Sequence, residues 1–148
     1  MVTEGVEESV VARIRKELLL KLVSHINGKD WWHVPPVDPE AYAKRGKFYS
    51  STFREAEFWG RPLDTPESVR VSNPLVGDER TIMRKLGLPM LADEAASVEE
   101  RFALDARMKR VARKQGHNSI VLMSVQGFAA YKATGKIPRS IELNVLGV

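Results

Sequence analysis

The chain has 148 residues, 43% of them hydrophobic and 28% charged, so it predicts one domain with a core that needs neither a disulfide nor a metal. With no cysteine and three histidines, it excludes disulfide scaffolds, iron–sulfur clusters and thiol nucleophiles, predicts no metal site, and suits a reducing, cytoplasmic setting. The net charge of +4 admits an anionic partner such as a dinucleotide or nucleic acid, while an acidic start and short apolar runs predict neither signal peptide nor membrane span.

The first predicted element is a helix over 9–27. Ser9 can cap it, and Val10, Val11, Ile14, Leu18, Leu22 and Ile26 recur at three- and four-residue steps, with Arg13, Lys16, Glu17 and Lys21 on the other face. Asn27-Gly28 ends it. The stripe predicts a helix packed on the core, with a lid or a partner-binding surface as alternatives. Trp31 to Val34 then reads as a short buried strand that Pro35-Pro36 stop, because proline lacks the N–H that a ladder needs.

A second strand is expected over Lys47–Ser50. Thr52 and Glu55 form a capping box that opens a two-turn helix through Ala56, Phe58 and Trp59, closed by Gly60. The alternation from Val69 to Val76 predicts an edge strand. A small helix over Thr81–Leu86 ends at Gly87, and Ser97 with Glu100 opens a longer one whose apolar side is Phe102, Leu104, Met108, Val111 and Ala112, with Gly116 as its stop. Ile120–Ser124 and Ile141–Leu146 read as the last strands. The order predicts an α+β fold with mainly antiparallel or mixed strands. Without GxGxxG or GxxxxGK[ST], a doubly wound nucleotide fold is disfavoured.

Four places could carry chemistry. In the last strand Ile141, Leu143 and Val145 alternate with Ser140, Glu142 and Asn144, so a carboxylate stands on a rigid element, although any strand with a solvated outer face alternates in this way. Tyr49, Ser50, Ser51 and Thr52 put hydroxyls between a strand and a helix; they could bond a ligand or brace a carboxylate, and Thr52 is also explained as a cap. His33 follows two tryptophans and can stack and hydrogen-bond. Finally, Arg107, Lys109, Arg110, Arg113 and Lys114 put five cations into eight residues, a stretch that could track phosphates but that the helix dipole also favours.

Taken in order, His33, Gly46-Lys47-Phe48-Tyr49-Ser50-Ser51-Thr52 with Ala56-Glu57-Phe58-Trp59, Val71-Ser72-Asn73-Pro74-Leu75-Val76, Gly116-His117-Asn118-Ser119-Ile120-Val121 and Glu142 resemble the small bacterial and phage-associated ADP-ribosyltransferases. The likeness covers 31–148 as an ADP-ribosyltransferase-like core and leaves 1–30 as an N-terminal helical extension of a single domain. It implies two small, mainly antiparallel sheets forming a split NAD-binding cleft, flanked by the N-terminal helix and a second long helix. It also implies a cytoplasmic toxin or phage-type effector that takes NAD as substrate and transfers ADP-ribose to a protein or nucleic acid, or hydrolyses NAD.

By the same resemblance Glu142 is the catalytic carboxylate, stabilising a ribosyl oxocarbenium-like transition state. His33, or else Arg45, would bond the adenosine-side ribose. Ser50 would contact the nicotinamide ribose or brace Glu142, with Ser51 beside it, and Tyr49, Phe58 or Trp59 would wall the nicotinamide. Arginine-specific members carry an acid or amide two residues before the catalytic glutamate; Ser140 stands there, so arginine is not the expected acceptor. The alternative to an enzyme is a phage- or plasmid-type accessory protein that binds nucleic acid or protein through the basic helix.

Overall fold

The computed structural model describes residues 3–90 and 97–147, and side chains within its elements from Ser9 onward. In chain order the elements are α1 (Thr3–Asn27), β1 (Asp30–His33), α2 (Ala41–Arg45), β2 (Lys47–Ser50), α3 (Phe53–Glu57), β3 (Glu67–Ser68), β4 (Pro74–Gly77), α4 (Glu79–Leu86), α5 (Val98–Lys114), β5 (Ser119–Leu122), α6 (Val125–Thr134) and β6 (Glu142–Val145). The fold is α+β, as expected.

The strands form one mixed sheet in the order β3-β1-β2-β6-β5-β4, rather than the two small sheets that the resemblance implies. Only β4 and β5 run parallel; every other neighbouring pair is antiparallel. β6 accounts for the difference. It pairs with β2 along one edge and β5 along the other, so backbone hydrogen bonding is continuous where a split would open.

Caps act where the sequence signals them. The hydroxyls of Thr52 and Ser97 accept from the N–H groups of Glu55 and Glu100 at 3.1 Å each, and Gly87 closes α4 in the left-handed conformation, φ 68°. α4 begins earlier than Thr81, because the Asp78 carboxylate caps it by accepting from Thr81 N–H at 2.8 Å.

Three expectations fail. α1 runs through Ser9 to Thr3, so Ser9 is not its cap, and Val10, Val11 and Ile14 are exposed while Leu22 and Ile26 are fully buried. The 69–76 segment is not one strand. Asn27 occupies the backbone of Val71, accepting from its N–H at 2.8 Å and donating to its carbonyl at 2.9 Å, so Val69 and Val71 reach the core without a strand partner. The α6 helix has no counterpart in the sequence reading; Ser124 caps it, and it buries Phe128 and Tyr131.

Residues directly opposite one another in neighbouring strands point to the same side of a sheet. His33, Tyr49, Leu143, Val121 and Val76 therefore form a row on one face. A core containing Leu22 and Ile26 of α1 and Phe128 and Tyr131 of α6 covers much of that face. Trp32, Ser50, Glu142, Leu122 and Gly77 form the matching row on the other face. Next to it run Phe48, Asn144, Ile120 and Leu75, whose inner members pack with Ile82 and Leu86 of α4 and Ala112 of α5.

Candidate functional site

Glu142 and Ser50 sit directly opposite each other on β6 and β2. The expected alternation of β6 holds, but its polar face is not simply solvated: Asn144 is buried and Glu142 partly buried. Asn144 donates to the Arg45 carbonyl at 2.9 Å, and its Oδ1 lies buried without a hydrogen-bond partner. A Cβ at Gly46 would collide with that oxygen, and Gly46 also has φ 91°. Glycine is what lets the chain before β2 close over this end of the polar face.

At Glu142 the face stays open. The carboxylate lines a depression of about 520 Å³ with Asp78, Glu79, Ser124, Ser140 and several apolar groups. It has no side-chain hydrogen bond or ion pair among the described residues. Burial pushes its pKa above the usual carboxylate range, helped by the negative charges of Glu55, Glu79 and Asp105. The Ser50 hydroxyl also has no side-chain partner among the described residues. Asp105, itself pushed up to about 6 by burial against the opposing pull of Arg45 and Arg101, adds a second reluctant carboxylate to this side of the sheet.

The segment after β2 is latched to the start of β6. Ser51 donates to the Ile141 carbonyl at 3.1 Å and accepts from Ile141 N–H at 3.0 Å, and the Ser140 hydroxyl donates to Glu55 at 3.1 Å. Ser51 therefore spends its hydroxyl on the backbone. The same latch brings α3 to the Glu142 end of the sheet. Beyond it Phe58 and Trp59, 82% and 62% exposed, meet edge to face at 5.0 Å. Trp32, which the sequence reading left out, stands in the Ser50–Glu142 row and packs edge-on against Phe53 at 5.2 Å.

His33 and Tyr49 lie on the other side. The Phe48 carbonyl, 2.7 Å from His33 Nδ1, can only accept, so Nδ1 carries the proton and Nε2 accepts from the Tyr42 hydroxyl at 2.9 Å. Burial holds the imidazole below its ordinary pKa, reinforced by the Lys47 charge against the opposing Phe48 bond and Glu67. Tyr49 donates to Glu67 at 2.8 Å, and Lys47 bonds the same carboxylate at 2.9 and 3.1 Å. Tyr49 is pushed up to about 12, first by burial and then by Glu67. Burial alone would raise Glu67, but the bonds from Lys47 and Tyr49 prevail and hold it low. Each of these groups already has its partner inside the fold.

Of the five helix cations, Lys109 is buried and donates to the Ala43 carbonyl at the end of α2. Arg113 donates to the Leu146 carbonyl at 3.0 Å. Arg107, Arg110 and Lys114 remain exposed at helical spacing. Among the described residues no group of three or more His, Asp or Glu is arranged to hold a metal ion, and no helix is long and apolar enough to cross a membrane. No protein-family model, curated protein or solved structure matches the chain.

Proposed function

We propose that the chain cleaves the nicotinamide–ribose bond of NAD, transferring ADP-ribose to a macromolecular acceptor or to water, with Glu142 as the catalytic carboxylate. The observation that carries this reading is an unpaired, half-buried Glu142 opposite Ser50 at the edge of an open depression. Departure of nicotinamide leaves positive charge on the ribose, and a carboxylate poorly solvated in the free protein gains most when such a charge develops beside it.

Glu79 and Asp78 add negative charge around the same depression, which suits a cationic nicotinamide ribose and disfavours the pyrophosphate. The pyrophosphate would instead lie toward Arg84 and Lys132, whose charges reach Asp78. Ser50 would orient a ribose hydroxyl or Glu142 itself, and Phe58 or Trp59 would offer a ring face to the nicotinamide. His33 and Tyr49 would act by supporting β1 and β2 from behind rather than by touching NAD.

The test is nicotinamide release from NAD by the parent and by Glu142→Gln, together with the melting temperature of each with and without NAD. The expected result is release by the parent, a fall on the order of 10²-fold or more in the variant, and an NAD-induced rise in melting temperature for both. Neither release nor thermal shift would overturn the reading in favour of a binding module. The exposed stripe of Arg107, Arg110 and Lys114 would then be the surface to test, by the salt dependence of nucleic-acid binding.

A further inference from the structure

Charge is unevenly divided along the chain. Residues 30–78 carry six Lys or Arg against eight Asp or Glu, but residues 80–89 carry three cations and residues 106–141 eight, with no carboxylate in either segment. The basic segments hold most of α4, the C-terminal half of α5, β5 and α6, so the excess gathers at the β5–β4 end of the sheet. Cations set close together without counter-charge repel one another, a standing cost that an anionic partner removes.

Two helices turn this excess into a face. α4 buries Ile82, Met83 and Leu86 and leaves Arg80 and Arg84 one turn apart on its exposed back. α5 buries Lys109 and Ala112 and lines its back with Arg107, Arg110 and Lys114. The helices lie side by side on the same side of the sheet: Leu86 and Ala112 share one core, and Gln115 donates to the Lys85 carbonyl at 3.1 Å. The two rows are therefore roughly 8–10 Å apart, and the α5 row is about 10 Å long. None of the five cations has a hydrogen bond or a carboxylate partner among the described residues. Lys85 carries the charge round the free edge of β4, donating to the Val76 carbonyl at 3.4 Å. Partial burial and then the charges of Arg84, Lys132 and Arg15 hold it below the ordinary lysine range.

We propose that the paired backs of α4 and α5 bind the phosphate backbone of double-stranded DNA through Arg80, Arg84, Arg107, Arg110 and Lys114. Protein partners and membranes need an apolar anchor, and no large hydrophobic side chain of α4, or of α5 beyond Phe102, is exposed. The same rows offer no aromatic ring on which an unpaired base could stack. The neighbouring amides are engaged inside the fold, Gln115 on Lys85, Asn73 on the Gly116 carbonyl and Asn118 on Ser72 and Asn73. Charge, not a ribose 2′-hydroxyl, is thus what the face reads. Arg84, whose charge reaches Asp78 on the rim of the Glu142 depression, marks where this face meets the candidate site. The binding does not depend on NAD cleavage.

The experiment is fluorescence anisotropy of a labelled DNA duplex of mixed sequence titrated with the full chain over a range of salt. Binding is expected to weaken on the order of 10²-fold between about 50 and 200 mM salt. Arg80→Gln with Arg84→Gln, and separately Arg107→Gln with Arg110→Gln, should each weaken it on the order of tenfold and lower the salt slope by about two. Their melting temperatures should be unchanged or higher, since all four side chains are exposed. Arg54→Gln with Arg61→Gln, which removes the same charge from exposed sites near α3, should bind like the parent. So should Glu142→Gln, which separates this outcome from that of nicotinamide release. No binding at low salt overturns the proposal. So does tighter binding to single-stranded DNA or to an RNA duplex of the same length, or an effect of the α4 and α5 variants no larger than that of the Arg54 and Arg61 pair.

Discussion

The two faces of the sheet at the β1–β2–β6 end carry similar residue types and treat them in opposite ways. On one face His33, Tyr42, Tyr49, Lys47 and Glu67 form a polar network in which each group has a partner inside the fold. On the other, Glu142 and Ser50 stand side by side with no side-chain hydrogen bond among the described residues, and burial and like charge both push the carboxylate up. A satisfied buried network contributes stability and rigidity. An unsatisfied carboxylate in a depression costs stability and keeps its capacity for a ligand. The lesson is that full hydrogen-bond partnering marks the supporting face here, since both faces carry aromatic rings, and the face with the unpaired carboxylate holds the candidate chemistry.

The largest effect that would break this comparison is catalytic. Glu142→Gln should lower nicotinamide release on the order of 10²-fold or more while leaving the melting temperature at neutral pH unchanged or raised. His33→Ala should do the reverse. It removes a buried ring and both of its hydrogen bonds, so chemical denaturation should show a loss of about 2–4 kcal/mol, with release per folded molecule unchanged. If His33→Ala abolishes release in protein that is still folded, the division of labour between the faces is wrong.

Gly46→Ala should cost a comparable or slightly smaller amount, about 2–3 kcal/mol, because the new methyl meets Asn144 Oδ1 at a positive φ. Denaturation midpoints of the two variants place them on one scale. A pH series gives a smaller signal. Asp105 is raised to about 6 by burial, so at pH 7.5 the folded state holds a charge that the unfolded state solvates better. Asp105→Asn should therefore stabilise by about 1 kcal/mol at pH 7.5 once solvent screening is allowed for. That gain should fade as pH falls through 6 and be gone near pH 4. His33 has the opposite sign. Its pKa is lowered on folding, so its contribution is complete above the ordinary histidine pKa and is lost as pH falls below it. Smallest of all, Phe58→Ala and Trp59→Ala should each move stability by less than about 0.5 kcal/mol, since both rings are mostly exposed.

Much of the local structure was legible because its signals are local. Thr52 with Glu55 and Ser97 with Glu100 announce helix starts, Gly87 announces a stop, and Lys47–Ser50 is a strand by both pattern and structure. What was not legible depends on partners distant in sequence. No pattern near Val71 reveals that Asn27, 44 residues earlier, takes its backbone groups. α6 hides because Gly127 and a run of small residues blur its apolar period, and Gly127 is needed where Pro138 packs against it. The grouping of the candidate site was only half visible. Alternation within β6 separates Glu142 from Leu143, but the register that aligns Glu142 with Ser50 and Trp32, and Leu143 with Tyr49 and His33, exists only in the assembled sheet.

β6 joins β2 to β5 and follows every other strand in sequence. Without it the sheet would fall into a three-stranded piece, β3-β1-β2, and a parallel pair, β5-β4, each with an open edge. A chain emerging from the ribosome must therefore hold two unjoined pieces until residues 142–145 arrive. The strand that closes the gap also carries Glu142, so joining the sheet and placing the candidate carboxylate are one event. A chain cut before residue 142 would lose the join between the two pieces and the candidate carboxylate together.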